Sequence, residues 1–294
     1  MNARPRVTIG VPVFNGERFL IQTLDSIRAQ TFSAWEMVVS DNASTDRTSE
    51  ICRDYAARDP RIRYERNSHN IGATRNFNRT LELASAPLFK LANADDLCEP
   101  ELLARCVDIL DSHPEVVLCY ARTVLIDESG QRLRPFDDRL DLRQPRATER
   151  FRLARQQIRL VNVLQGVMRT GALRRARGLG SFVGSDVVLV PVLALYGQFY
   201  EVPERLFYRR IHPGAFSSLK SSEGRQKFVD PEAKPSVTFE AWRHALEFVR
   251  GILRAPVSSG EKIRLLLSVF RTAIAARREF LHELVEGLSV VLRR

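Results

Sequence analysis

Short apolar runs alternate with segments of helical periodicity over the first half of the chain. The runs at 7–13, 36–40 and 88–92 each end in small or polar residues, which predicts three buried strands. Between the runs, apolar residues recur at helical spacing, as Leu20 and Leu24 do after the first of them. This strand–helix–strand rhythm predicts an α/β fold built on a mostly parallel sheet with flanking helices.

The middle of the chain is less regular. Residues 61–65 predict a further strand, and Ser129 with Gly130 predict the tip of a hairpin. The basic stretch 132–152 is interrupted by prolines and predicts a mobile loop region, and 153–164 has the pattern of a helix.

From about residue 236 the pattern changes to long amphipathic helices, which predicts a catalytic region 1–235 and a helical region 236–294. The apolar stripe of this tail consists of Ile263, Leu266, Leu267, Phe270, Ile274, Leu281, Leu284, Val285, Leu288, Val291 and Leu292. Arginines surround it, namely Arg271, Arg277, Arg278, Arg293 and Arg294. Two interpretations are open: the helices pack on the catalytic region or a second subunit, or they lie on an anionic membrane surface.

Composition narrows the class of protein. The 294 residues are 44% hydrophobic and 27% charged, which excludes a disordered or fibrous chain. The net charge of +10 favours anionic partners, but scattered basic residues and acidic strand ends argue against a nucleic-acid binder. The four cysteines lack CxxC spacing, and no stretch approaches the ~20 apolar residues of a membrane-spanning helix. We therefore predict a cytoplasmic protein.

The residues that follow two of the predicted strands are unusually acidic. Asp41 and Asp46 follow one strand, and Asp95 and Asp96 follow another, just after Asn93. Ligands of an open parallel sheet collect at the carboxyl ends of its strands. Neighbouring carboxylates repel unless a cation lies between them, and oxygen ligands suit Mg²⁺ or Mn²⁺. The sequence therefore predicts a divalent metal site at this edge.

Four motifs in order, VPVFNG, DNASTDRT, NIGATRN and NADD, resemble an inverting family 2 glycosyltransferase of the GT-A fold over about residues 6–220. Two later segments, GSDVVLVPVLALYG and YRRIHPGAFS, match that family's acidic residue before an apolar helix and its R-x-H. The resemblance implies a Rossmann-like sheet with a C-terminal helical extension. It also implies transfer of a sugar from a nucleotide diphosphate, UDP or dTDP, to a hydroxyl of a glycan or lipid-linked glycan in cell-surface polysaccharide synthesis.

The resemblance assigns a donor site and a metal. Donor-nucleotide binding falls to Pro12, Phe14, Asn15, Asp41, Arg75, Asn93, Ala94, Asp95 and Arg210. Within that set, the Asp41 carboxylate would accept a hydrogen bond from the imide N–H of a uracil-type base. The ligands of a bound Mn²⁺ or Mg²⁺ would be Asp95, Asp96 and His212.

The resemblance also assigns the reacting groups. Asp186 would be the base that takes the proton of the acceptor hydroxyl while that oxygen attacks the anomeric carbon from the face opposite the leaving group. The result would be inversion at that carbon. Gln165 and Gly166 match an acceptor-side turn, where glycine would permit close approach by a sugar.

Two departures keep a rival hypothesis open. Asn93 and Ser185 stand where the family is usually acidic, so the chain would alternatively be an inactive nucleotide-sugar-binding or scaffolding subunit. Structural interpretations also exist, with Asp41 in a turn, Asp186 in a helix cap and His212 as a structural histidine.

Overall fold

One β-sheet organises the chain in a computed structural model that describes residues 4–233 and 239–292, apart from the side chains of 279 and 286–292. Its strands are β1 Val7–Val13, β2 Trp35–Asp41, β3 Ile62–Arg66, β4 Leu88–Leu91, β5 Leu97–Cys98, β6 Val116–Ile126, β7 Arg132–Phe136, β8 Val167–Arg169 and β9 Gln198–Arg210. The helices are α1 Leu20–Arg28, α2 Thr48–Arg58, α3 Ala73–Glu82, α4 Leu102–Ser112, α5 Ala147–Gln157, α6 Thr170–Arg175, α7 Ser185–Leu193, α8 Ser222–Val229, α9 Glu240–Arg254, α10 Ser259–Ala275 and α11 Arg277–Leu292.

The sheet has a parallel half and a mixed half. Its strand order is β3-β2-β1-β4-β8-β6-β9-β5, with β7 paired to β6. Strands β3, β2, β1 and β4 are parallel, whereas β8 runs antiparallel to both β4 and β6. Helices α1, α2 and α4 cover one face with apolar side chains, and α3, α6 and α7 cover the other. The predicted α/β architecture is confirmed.

The strongest local patterns gave the most accurate elements. The first predicted strand coincides with β1, and those at 36–40, 61–65 and 88–92 match β2, β3 and β4 to within a residue or two. The predicted hairpin joins β6 to β7, with Gly130 at a φ of +90°. Glycine adopts that left-handed conformation without the steric cost of a side chain.

The prediction of a loop over 132–152 was wrong, because the segment contains β7, the start of α5 and, between these two elements, two buried leucines. Leu140 and Leu142 are buried, and paired backbone hydrogen bonds of 3.1 Å join Leu142 to Phe199 in β9. The exposed Asp141 between the two leucines, with the exposed Arg139 before them, hid this alternation. The helix predicted over 153–164 is also shorter than expected, since α5 ends at Gln157 and a 3₁₀ turn, Asn162–Gln165, follows.

The C-terminal helices pack on the helices that precede β9. Helix α9 lies against α7 so closely that a Cβ at Gly251 would lie 2.5 Å from Val192 Cγ2, and α10 contacts α5. The shared cluster comprises Ala147, Phe151, Val188, Val192, Leu195, Phe248, Ile252, Ala255, Leu265 and Val269. The predicted boundary after residue 235 falls within 234–238, outside the described residues.

Helix α10 is buried through two residues that the predicted stripe did not include. On α10, Leu265 and Val269 face the protein, whereas Ile263, Leu267 and Phe270 face outward. The side chains of Leu288, Val291, Leu292, Arg293 and Arg294 lie outside the described set. Within the described ranges, we find no helix with the length and apolar character needed to cross a bilayer.

Candidate active site

The carboxyl ends of β1 and β2 meet at one edge of the sheet, where hydrogen bonds join their loops. The N–H of Asn15 donates to Ser44 Oγ at 2.9 Å, and the N–H of Thr45 donates back to Asn15 Oδ1 at 2.8 Å. Pro12 is half-buried beside this junction and Phe14 is exposed. The residues predicted to form the wall of a nucleotide pocket are therefore together at the expected edge.

Asp41 ends β2, and its carboxylate is buried within a set of protein donors. Oδ1 accepts the N–H of Ser44 at 2.8 Å, and Oδ2 accepts Tyr64 Oη at 2.7 Å and Arg66 Nη1 at 2.6 Å. Burial alone would raise the pKa of Asp41, but the bonds from Ser44 and Tyr64 and the charge of Arg66 hold that pKa below its ordinary value. Contact between this carboxylate and a nucleotide base would require Tyr64 or Arg66 to move away, so the contact stays a prediction.

Tyr64→Phe is expected to lower the free energy of unfolding by about 2 kcal/mol at neutral pH, because a buried carboxylate loses a donor. The folded pKa of Asp41 is depressed, so its contribution to stability is present above the unfolded pKa and is lost as the pH falls. The variant raises the folded pKa, and the difference from wild type should therefore shrink in acid below about pH 4.

Urea unfolding at several pH values measures this difference. Tyr55→Phe is the matched control, since Tyr55 Oη donates at 2.7 Å to the exposed Asp25. An equal loss in both variants, or a loss from Tyr64→Phe that does not depend on pH, would contradict the account.

Asp95 and His212 form the pair of side chains best suited to hold a metal. Asp95 Oδ2 lies 2.9 Å from His212 Nε2, and both side chains are partly exposed. Adjacent ligands of an octahedral Mg²⁺ or Mn²⁺, with bonds of about 2.1 Å, would be about 3 Å apart. The pair therefore fits an ion whose remaining ligands come from a diphosphate and water. Within the described residues, no group of three or more His, Cys, Asp or Glu side chains could hold a metal by protein ligands alone.

Asp96 faces away from this pair, which differs from the prediction that it is a metal ligand. Its Oδ1 accepts the backbone N–H of Arg210 at 2.9 Å, and its Oδ2 accepts Asn93 Nδ2 at 3.0 Å. Burial, with the neighbouring charge of Asp95, raises the pKa of Asp96 to about 7. We conclude that Asp96 fixes the loop after β4 to β9 and orients Asp95.

Arg210 is also a structural residue, not the predicted phosphate ligand. The side chain is 1% exposed, and its guanidinium donates to the carbonyls of Asp95, Asp127 and Glu128 and to Gln22 Oε1. No donor surface is left for an incoming phosphate. Its positive charge nevertheless lies directly behind the Asp95 loop, where it favours binding of an anion.

Asp186 lies in the first turn of α7, two residues after Gly184, the N-cap residue, which has a φ of +76°. Its Oδ1 accepts the N–H of Val187 at 2.9 Å, and the carboxylate also accepts its own backbone N–H, with no side-chain donor bonded to it in the described part of the chain. Burial raises the pKa of Asp186 above its ordinary value, although the Val187 N–H and the charges of Arg209 and His244 act in the opposite direction. A partly buried carboxylate that receives hydrogen bonds only from backbone N–H groups is suited to accept a proton.

The predicted acceptor-side turn, Gln165 and Gly166, lies beside the loop that follows β4, and its glycine is needed for close packing. The N–H of Asn93 donates to Gln165 Oε1 at 3.4 Å, and the buried Lys90 donates to the carbonyl of Gln165. A Cβ at Gly166 would lie 2.3 Å from the carbonyl oxygen of Cys119. Gly166 is therefore required where this turn crosses the β6 backbone, and its role in admitting a sugar stays a prediction.

Two further residues predicted to bind the nucleotide donor are Arg75 and Ala94. Arg75 is exposed on α3 and lies 3.4 Å from Asp230, and Ala94 is half-buried between Asn93 and Asp95. Sequence analysis missed Tyr64, Arg66 and Arg209. Tyr64 and Arg66 lie on the same face of β3, beside the end of β2 where Asp41 stands. Their role depends on the pairing of these two strands, which the local sequence pattern does not indicate.

The family follows from comparison with known sequences. The sequence profile described as glycosyl transferase family 2 matches residues 8–177, more than half of the chain. The chain belongs to glycosyl transferase family 2. EpsE of Bacillus subtilis is 32% identical to this family member over 133 residues, which are 45% of this chain and 48% of EpsE. The chain thus spans about half the length of that relative.

Solved structures show the fold of this family 2 chain. S. aureus TarS in complex with UDP-GlcNAc matches with a TM-score of 0.67 and 17% identity, covering 92% of this chain and 73% of that one. The mannosyltransferase PcManGT from Pyrobaculum calidifontis, in complex with GDP-Man and Mn²⁺, matches with a TM-score of 0.52 and 17% identity, covering 97% and 88%. At these identities the similarity supports the GT-A fold alone.

Proposed function

We propose that this chain is a metal-dependent inverting glycosyltransferase that transfers a hexose-type sugar from a UDP-linked or dTDP-linked donor. The acceptor is a hydroxyl of a glycan or lipid-linked glycan in cell-surface polysaccharide synthesis, reached at the cytoplasmic face of the membrane. The observation that carries the proposal is the Asp95–His212 pair, 2.9 Å between Oδ2 and Nε2, at the edge where the family 2 motifs converge. The complexes of TarS with UDP-GlcNAc and of PcManGT with GDP-Man and Mn²⁺ support a nucleotide-sugar donor.

The proposed chemistry divides between electrostatics and proton transfer. When bound by Asp95 and His212, a divalent ion would neutralise charge on the departing diphosphate. The buried guanidinium of Arg210 adds positive potential behind the same loop. Asp186 accepts the acceptor's proton at its carboxylate as the new C–O bond forms and the bond from the anomeric carbon to the diphosphate oxygen breaks. Attack from the face opposite that bond inverts the anomeric centre.

A nucleotide screen tests the donor directly. In the presence of Mn²⁺, UDP or dTDP at about a hundred times Kd should stabilise the protein by about 2.7 kcal/mol, which corresponds to a Tm increase of about 5–10 °C. ADP with Mn²⁺ and each nucleotide with EDTA are the controls. Equal shifts for all nucleotides, or a UDP shift that survives EDTA, would contradict a metal-bridged uridine or thymidine diphosphate.

The contact that Asn93 makes argues against the alternative that the chain is an inactive subunit. Its amide donates a 3.0 Å hydrogen bond to Asp96, which an ionised aspartate at this position could not do. The departure from the family pattern is therefore compatible with an active enzyme. Hydrolysis of UDP-sugar by the purified chain distinguishes the enzyme from a scaffolding subunit, because only the enzyme releases free sugar.

A further inference from the structure

Helix α10 has an apolar face that points into solvent. Ile263, Leu267, Phe270 and Ile274 are 50–63% exposed, and their 4-3-4 spacing places them on one side of the helix. Of the fifteen large hydrophobic side chains that the structure describes as exposed, eleven lie beyond residue 238. An apolar row of this length on a water-facing helix indicates an interaction surface.

This outward face is not needed to hold α10 on the protein. Leu265 and Val269 occupy the other side of the helix, where they are buried in the cluster shared with α5, α7 and α9. The capping box of Ser258 and Glu261 fixes the start of the helix independently of both faces. The helix is therefore anchored by one apolar side and presents a second one.

The charges beside the exposed row all have one sign. Arg264 and Arg271 lie about a quarter turn from it along the surface of α10, and Arg277 follows just beyond the C-terminal end of this helix. Glu261 is the only carboxylate in the sequence of α10, and it is engaged in the capping box. An apolar row bordered by arginines is complementary to a surface that is apolar inside and anionic outside.

We propose that the outward face of α10 docks on an anionic lipid bilayer, with the four apolar side chains in the acyl boundary and the arginines at the headgroups. A second copy of the chain is the competing occupant. Pairing two identical α10 faces would bring the flanking arginines together with no acid from this helix to neutralise them, and like charges across a helix seam are unfavourable. Docking of this face on a bilayer requires no sugar transfer, so it is independent of the proposed function.

Co-sedimentation of the full chain with vesicles tests the surface. Vesicles of phosphatidylglycerol and phosphatidylcholine in about equal parts should bind the protein, whereas phosphatidylcholine alone should bind it far more weakly. Leu267→Ser with Phe270→Ser should weaken binding at least tenfold, because two apolar contacts are removed. Arg264→Gln with Arg271→Gln should weaken it about 30-fold at low salt and much less at high salt.

Leu133→Ser is the matched control, since Leu133 is 55% exposed on β7, at a distant part of the fold. Its vesicle binding should equal that of wild type. Equal binding to neutral and anionic vesicles, or binding unchanged in both double variants, would overturn the proposal. Light scattering supplies the remaining outcome: a wild-type dimer that Leu267→Ser with Phe270→Ser converts to monomer would assign the face to a second copy instead.

Discussion

Asp186→Asn is expected to reduce kcat by about 10²- to 10⁴-fold while leaving the Kd for the nucleotide donor unchanged. The amide keeps the size of the side chain and its contact with the N–H of Val187, but it cannot take up the acceptor's proton. Single-turnover kinetics measures the chemical step, and calorimetry measures donor binding. The matched control is Asp108→Asn, an exposed carboxylate on α4, which should keep full activity.

The pH profile separates a base from a helix cap at the same position. The pKa of Asp186 is raised by burial, so the rate should fall in acid through a group that titrates above the ordinary value of 3.8. A residue that only caps α7 would lower stability when replaced and leave the shape of the profile unchanged. Retention of more than about a tenth of kcat in Asp186→Asn, or loss of donor binding with it, would contradict the assignment.

Asp95→Asn is expected to weaken Mn²⁺-dependent binding of UDP by about 100-fold or more. Residues that only support a metal ligand typically contribute 10–100-fold to affinity, and Asp95 is proposed as a ligand itself. His212→Gln should show the same joint loss of metal and nucleotide, because the two side chains are 2.9 Å apart. Calorimetric titration of UDP with and without Mn²⁺ measures both effects.

The control for this pair is Asp54→Asn, an exposed carboxylate that pairs with Arg58 on α2. It should bind UDP and Mn²⁺ as wild type does. If Asp95→Asn and His212→Gln both kept their Mn²⁺-dependent UDP affinity, the metal would have to be held elsewhere or not be needed. In either case the proposed metal-bridged donor site would be wrong.

The sequence predicted the parallel half of the sheet well because its signals are local. Strands β1, β2 and β4 are short apolar runs with polar ends, and parallel pairing places those ends at one edge. The segment around Leu140 and Leu142 was not predicted, since two leucines between charged residues resemble a loop until β9 is present to pair with them. Long-range pairing of this kind has no signature within the segment itself.

The sequence predicted which residue types lie at the site more accurately than it predicted which partners their side chains contact. Asp95 and His212 do come together, as expected from the family resemblance. Arg210 and Asp96 have the chemistry of a phosphate ligand and a metal ligand, but Asp96 accepts the backbone N–H of Arg210, and the Arg210 guanidinium donates to the backbone carbonyl of Asp95. A sequence shows which bonds a side chain is able to make, whereas the fold decides which of them it makes.

The loop after β4 is held by a strand that is synthesised much later. Asp95 and Asp96 bond to Arg210 and His212, which lie 114 to 117 residues further along the chain. During translation, β1 to β4 can form their parallel pairs early. The contacts of Asp95 and Asp96 close a loop of more than a hundred residues, and they must wait until β9 has been synthesised. The emerging protein would therefore complete its proposed nucleotide site in a late step, after most of its sheet is already in place.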